Sequence, residues 1–142
     1  MCILDLKLIQ MQCPCNPKNT YSSCCQKAHE SITNANTSEV LMRSRYSAFV
    51  LGDVNYLQKS QHSSTRPNKR EKREIEAWAK SVTWIKLEIL HSTKGTENDT
   101  EGSVEFKAYY TENGQMGVIH ENSNFKRENG HWVYVDGEHT SI

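Results

Sequence analysis

Hydrophobic and polar positions along this chain follow two different periods, and the change between them falls at Val82. Before it, apolar residues recur at helical spacing; after it, they alternate. Val40 to Leu51 runs without glycine or proline until Gly52-Asp53, and Thr37 or Ser38 offers an N-cap ahead of Glu39. Leu41, Arg45, Ala48 and Phe49 share one face, with Met42, Tyr46, Phe49 and Val50 on its neighbour. The spacing predicts a helix over 40–51 and a shorter one over 54–60. A second long helix is predicted over 68–81. There Ile75, Trp78, Ala79 and Val82 recur on one side, while Lys69 to Glu74 are solvated. Residues 61–67, with His62 and Pro67, read as a loop.

Trp84 to Ile89 alternates apolar with polar, and so does Val104 to Tyr110. Asn113-Gly114 and Asn129-Gly130 then fall between alternating runs. Asn-Gly signals a tight hairpin, because both central turn residues adopt positive φ. An antiparallel four-strand meander follows, over 82–91, 103–112, 115–126 and 131–137, with Ser92 to Ser103 expected as a long, mobile loop. Helices first and a curled sheet afterwards define an α+β architecture, with helices packed on one curved antiparallel sheet.

The N-terminal part follows neither period. Residues 1–12 hold Ile3, Leu4, Leu6, Leu8 and Ile9 broken by Asp5 and Lys7, and read as a short strand or mobile extension. They lack the basic leader, long apolar core and cleavage site of a secretion signal. No stretch reaches the ~18 apolar residues of a membrane span. The chain therefore reads as cytoplasmic. Residues 13–29 are rich in Asn, Pro, Ser and Cys with almost no apolar side chains, so burial alone is not expected to order them. Ser31 to Asn36 reads as a polar linker.

With 142 residues and a formal net charge of zero, the chain suits one domain and a small appendage. Charge balance argues against bulk attraction to nucleic acid or anionic membrane. The basic run Arg66 to Arg73, interleaved with Glu71 and Glu74, reads as a solvated helix face, with a nucleic-acid or ribosome contact as the weaker reading.

Cysteine usage changes the picture. Cys13-Pro14-Cys15 and Cys24-Cys25 form a cluster, and Cys2 stands apart. An odd count with close pairs fits a reducing compartment, and adjacent cysteines make a strained disulfide. The two pairs can supply four thiolates to one tetrahedral zinc. Binding of that kind contributes roughly 10–16 kcal/mol towards ordering a segment that has no core of its own. With every position filled by protein, such a site is structural, one zinc per chain. Free or redox-active cysteines remain as an alternative, as does a site in which His29 or Cys2 replaces one thiolate.

The spacing Cys-x-Cys-x8-Cys-Cys resembles the SEC-C motif, the small zinc element found at the C-terminus of the SecA translocation ATPase and associated there with protein partners such as the SecB chaperone. Other motifs extend the likeness. Leu41-Met42-Arg43-Ser44-Arg45-Tyr46-Ser47-Ala48-Phe49, Asp53-x-x-Tyr56-Leu57 and His62-x-x-Thr65-Arg66 resemble the bacterial YchJ family. So do Trp84, Glu121-x-Ser123-x-Phe125 and Glu128-Asn129-Gly130-His131-Trp132-x-Tyr134-x-Asp136-Gly137. The resemblance covers about residues 13–137. It implies a SEC-C-like zinc-binding motif over 13–30 and a nuclear-transport-factor-2-like (NTF2-like) cone over 37–142. Many members of that family carry a second, C-terminal SEC-C motif, and a bivalent role is therefore in doubt for a chain showing one.

A curved sheet capped by helices encloses a concave cavity. Gly117, Ile119, Glu121, Ser123 and Phe125 point one way on the third strand, making Glu121 a candidate general base or ligand anchor. The simpler expectation for Glu121 is an ion pair with Arg43 or Arg45. Arg45, on an apolar stripe, reads as a buried tether. His62 sits in a loop expected near the cavity mouth, where it is more simply solvated. Tyr46, Trp84, Trp132 and Tyr134 read as core aromatics, one or two of them lining a ligand site, and Asp136 as the cap of a turn at Gly137. No nucleophile–base–orienter set and no glycine-rich phosphate loop can be assembled.

Two functions follow. In the first, the zinc knuckle is a protein-interaction or adaptor module displayed on a cone-shaped scaffold, with Lys18, Tyr21 and Lys27 as contacts. In the second, the cone holds a small-molecule or enzymatic pocket. There Glu121 is base or anchor, and Arg45, Tyr46 and His62 assist.

Overall fold

The computed structural model describes residues 11–140. In chain order its elements are β1 (Gln12–Cys13), β2 (Asn16–Thr20), α1 (Cys25–Glu30), α2 (Ser38–Leu51), α3 (Val54–Lys59) and α4 (Lys69–Ser81), followed by β3 (Thr83–Lys94), β4 (Glu101–Glu112), β5 (Gln115–Glu128) and β6 (His131–His139). Short 3₁₀ turns at Tyr21–Ser23 and Ile32–Asn34 flank α1.

Local chemistry sets the boundaries. Thr37 Oγ1 accepts from Val40 N (3.1 Å) to start α2, and Gly52, at φ 73°, ends it. Asn68 and Glu71 form a reciprocal capping box at the start of α4. Both Asn-Gly pairs turn hairpins with positive φ at each residue: 53° and 78° at Asn113-Gly114, 54° and 83° at Asn129-Gly130. The sheet is the expected antiparallel meander, ordered β3-β4-β5-β6. Bulges between Trp84 and Lys86, Ile89 and His91, and Asn124 and Phe125 bend it. Val104, Phe106, Ala108, Glu121, Ser123 and Phe125 are buried on its inner face, against α2.

Three expectations are corrected. The long mobile loop over 92–103 shrinks to residues 95–100, because β3 runs on to Lys94 and β4 begins at Glu101. Thr96 N and Oγ1 both donate to Asp99 Oδ2 (2.9 and 2.8 Å), and Arg127 donates to Glu97 O and Asp99 O, so polar side chains tie the turn down. Gly137 lies within β6 rather than in a turn, and Asp136 accepts from Asn124 Nδ2 (2.9 Å) across the strands.

The third correction concerns the linker. Ile32 and Ala35 are buried, and Trp132 Nε1 donates to Asn36 O (3.2 Å). Cys13, Cys15, Cys25 and Ala28 join the same core as Leu41, Tyr46, Phe106, Phe125 and Trp132. The cysteine segment is thus docked on the cone. Its buried thiols behave as small apolar groups, which an apolar-residue tally does not count.

The extension read at residues 1–12 lies, up to residue 10, outside the described residues; Gln12 belongs to β1. Among the described residues no helix is long and apolar enough to cross a membrane.

Candidate metal centre and cone cavity

The β1–β2 hairpin presents Cys13 and Cys15, while the start of α1 presents Cys24 and Cys25. All four sulfurs lie within 4.8 Å of one another, with Cys13–Cys15 at 3.7 Å and Cys15–Cys24 at 3.6 Å. Zn–S bonds of about 2.3 Å in a tetrahedron require sulfurs about 3.8 Å apart. The separations fit that demand and far exceed the ~2.05 Å of a disulfide. Cys13, Cys15 and Cys25 are buried and Cys24 is half-buried.

Polar neighbours steady the sulfurs. Ser47 Oγ lies 3.7 Å from Cys13 Sγ, Asn19 Nδ2 points at Cys24 Sγ (3.8 Å), and Arg43 Nη1 donates to Cys15 O (3.3 Å). Side-chain contacts from Cys15 and Cys25 hold the Cys13 thiol well below its usual range. Sharing with Cys13 pushes Cys15 up to about 12 and raises Cys25 as well. One thiolate is therefore stabilised at the expense of its neighbours, and a divalent cation removes that competition by favouring the charged form of all.

His29 is otherwise engaged. Its Nε2 donates to Ser44 O (2.8 Å) and its Nδ1 accepts from Tyr21 Oη (2.6 Å), leaving no ring nitrogen for a metal. Tyr21 is accordingly tied inward, whereas Lys18 and Lys27 are exposed. Cys2 lies outside the described residues.

A cavity of about 320 Å³ opens between the helices and the inner face of the sheet. Arg45, Tyr46, Trp84, Glu121 and Ser123 line it; His62 does not. His62 instead hydrogen-bonds Ser64 Oγ (2.7 Å) and sits 3.4 Å from Glu128, because its backbone N is drawn to Tyr134 O (2.7 Å) at the neighbouring edge. The wall also includes Trp78 and His139, which pattern alone did not pick out. Trp78 shares its apolar stripe with ordinary core residues. His139 lies two residues beyond the predicted end of the last strand.

Glu121 is 8% exposed. Its Oε2 accepts from Ser123 Oγ (2.5 Å) and Tyr134 Oη (3.1 Å), and its Oε1 lies 3.3 Å from His139 Nε2. The expected ion pair with Arg43 or Arg45 does not form. Arg43 pairs with Glu39 (3.0 Å) one turn away. Arg45 Nη1 donates to Leu57 O (2.9 Å) and Ser60 Oγ (2.8 Å), and its guanidinium lies 4.7 Å from the Tyr134 ring centroid. Arg45 thus tethers α2 to the end of α3, and desolvation lowers its pKa to about 10. Gly137 allows Glu121 its position: a Cβ there would overlap the carboxylate.

Aromatic rings supply much of the rest of the lining. The Trp84 ring contacts those of Tyr46 (5.8 Å), Phe49 (5.8 Å) and Trp78 (5.4 Å), and its Nε1 donates to Ala79 O (3.1 Å). Trp132 is fully buried and lies outside the cavity lining.

The profile of the YchJ middle NTF2-like domain matches residues 37–137. A UPF0225 protein of Vibrio parahaemolyticus is 46% identical over 125 residues, covering 88% of this chain and 73% of that protein. A UPF0225 protein of Streptomyces coelicolor is 41% identical over 126 residues, covering 89% of this chain and 94% of that protein. The solution structure of a SEC-C motif containing protein from Rhodopseudomonas palustris superposes with a TM-score of 0.80 at 29% identity, over 92% of this chain and all (100%) of the other. A crystal structure of a SEC-C motif containing protein from Psychrobacter arcticus gives 0.76 at 30% identity, over 95% and 86%. A clustered four-cysteine segment ahead of a matched NTF2-like domain makes this chain a member of the YchJ-like UPF0225 family.

Proposed function

We propose that the cone is a small-molecule binding site, and that Cys13, Cys15, Cys24 and Cys25 hold one structural zinc that clips residues 13–30 onto the body at 37–142. The observation that carries this reading is the cavity of about 320 Å³, lined by aromatic rings and by one hydrogen-bonded carboxylate, Glu121. Apolar lining with a few convergent polar groups is the usual make-up of a ligand pocket. The adaptor reading rested on a polar loop with no visible purpose except display. Burial of three of its cysteines in the common core supplies a purpose, namely bracing. Reduced thiols held for a metal suit the cytoplasm.

The test is a tryptophan-fluorescence titration of the zinc-loaded chain with a neutral fragment, 3-phenylpropanamide. Trp78 and Trp84 line the cavity and report on occupancy. Saturable binding is expected in the native chain and is expected to disappear in Ala108→Phe, which fills the space from β4. Binding unchanged in that variant, or none in the native chain, contradicts the pocket.

A further inference from the structure

Arg45 is 7% exposed and forms no ion pair among the described residues. Its Nη1 is committed to two neutral acceptors, Leu57 O and Ser60 Oγ, and its face to the Tyr134 ring. Its Nε and Nη2 have no acceptor among the described residues. Among the described residues no fully enclosed side-chain nitrogen or oxygen lacks a partner, so these two are not fully enclosed. The open space that Arg45 borders is the cavity. A buried cation with no salt-bridge partner is costly to hold, and Arg45 lines a ligand-sized void.

Glu121, in contrast, already receives hydroxyl groups from Ser123 and Tyr134, with His139 Nε2 beside its other oxygen. The unmet demand at the polar end is therefore for an acceptor, not a donor. A guanidinium edge of Nε and Nη2 matches the two oxygens of a carboxylate. Among the described residues Arg45 is the only arginine or lysine on the wall, and one such cation balances a single negative charge rather than a doubly charged phosphate. Around this edge the surface is apolar, with Phe49, Trp78, Trp84 and Ile119. About 320 Å³ is also near the small end of the ~300–1,000 Å³ range of ligand sites.

We propose that the cavity takes a small apolar monocarboxylic acid, its carboxylate on the Nε–Nη2 edge of Arg45 and its body against Trp78 and Trp84. This rests on the ligand-pocket reading above, and the test separates the two. The zinc-loaded full chain is titrated with three probes of one skeleton: 3-phenylpropionate, 3-phenylpropanamide and 3-phenylpropylamine. The carboxylate is expected to bind at least about tenfold more tightly than the other two. Arg45→Met is expected to erase that advantage, bringing the carboxylate down to the affinity of the amide, and Arg45→Lys to restore part of it. Should Arg45→Met fail to fold, the ranking of the three probes on the native chain decides alone. Amide or amine binding as tightly as the carboxylate overturns the anion assignment and leaves the pocket standing. Binding by none of the three overturns both.

Discussion

At Gly137 the missing Cβ lets a carboxylate lie flat against a strand. Any side chain there meets Glu121, whose retreat would break its bonds to Ser123 and Tyr134. Gly137→Ala is therefore expected to destabilise the chain by about 1–3 kcal/mol, the usual cost of overpacking. Chemical denaturation would show a lower midpoint with an unchanged slope; a native midpoint would mean that Glu121 is held by something else. Single residues were unevenly legible in the sequence. Strand alternation was enough to aim Glu121 and Ser123 inward, and the helical stripe was enough to bury Arg45. Their partners were hidden because a bulge sets them. Between Asn124 and Phe125 the register shifts, bringing Tyr134 rather than Val135 opposite Phe125 and putting its hydroxyl on Glu121. Nothing in an alternating pattern announces where a strand will bulge.

At the scale of elements, hairpins and helix ends were readable because their chemistry is local. Asn-Gly and Thr37 each act within a few residues, as does the Asn68–Glu71 box that the structure adds. The knuckle was readable only as a ligand set. Its docking depends on Ile32 and Ala35, two isolated apolar residues in a polar stretch, and on thiols that pack as well as bind. Since the knuckle and cone share one core, metal removal is expected to be felt by both. Chelation should lower the melting temperature of the whole chain, with tryptophan fluorescence and far-UV circular dichroism still changing together. Acid should mimic chelation: thiolates bind the metal and thiols do not, so affinity falls as pH falls. The gap between loaded and chelated melting temperatures should therefore close on acidification. Cone fluorescence melting at an unchanged temperature after chelation would mean that the knuckle is an independent appendage.

For the whole molecule, the order of helices and strands pointed to an α+β architecture, the family resemblance to a cone, and the cysteine spacing to an attached metal site. Which of the two carries function was not written in either pattern, because it depends on whether the knuckle is displayed or buried and on whether the cone is filled or hollow. Both answers come from packing. The knuckle lends three cysteines to the core, and the cone keeps a cavity beside a buried arginine and a buried carboxylate. Arg45 and Glu121 would be expensive ornaments in a sealed scaffold. The most direct test is a ¹⁵N-correlation spectrum of the labelled, zinc-loaded chain before and after addition of cleared bacterial lysate. Movement of the Trp78 and Trp84 indole signals, with the knuckle amides of Asn16 and of Lys18 to Thr20 unchanged, is the predicted result. Broadening of those knuckle amides while both indoles stay in place would contradict the account and return the function to the zinc knuckle.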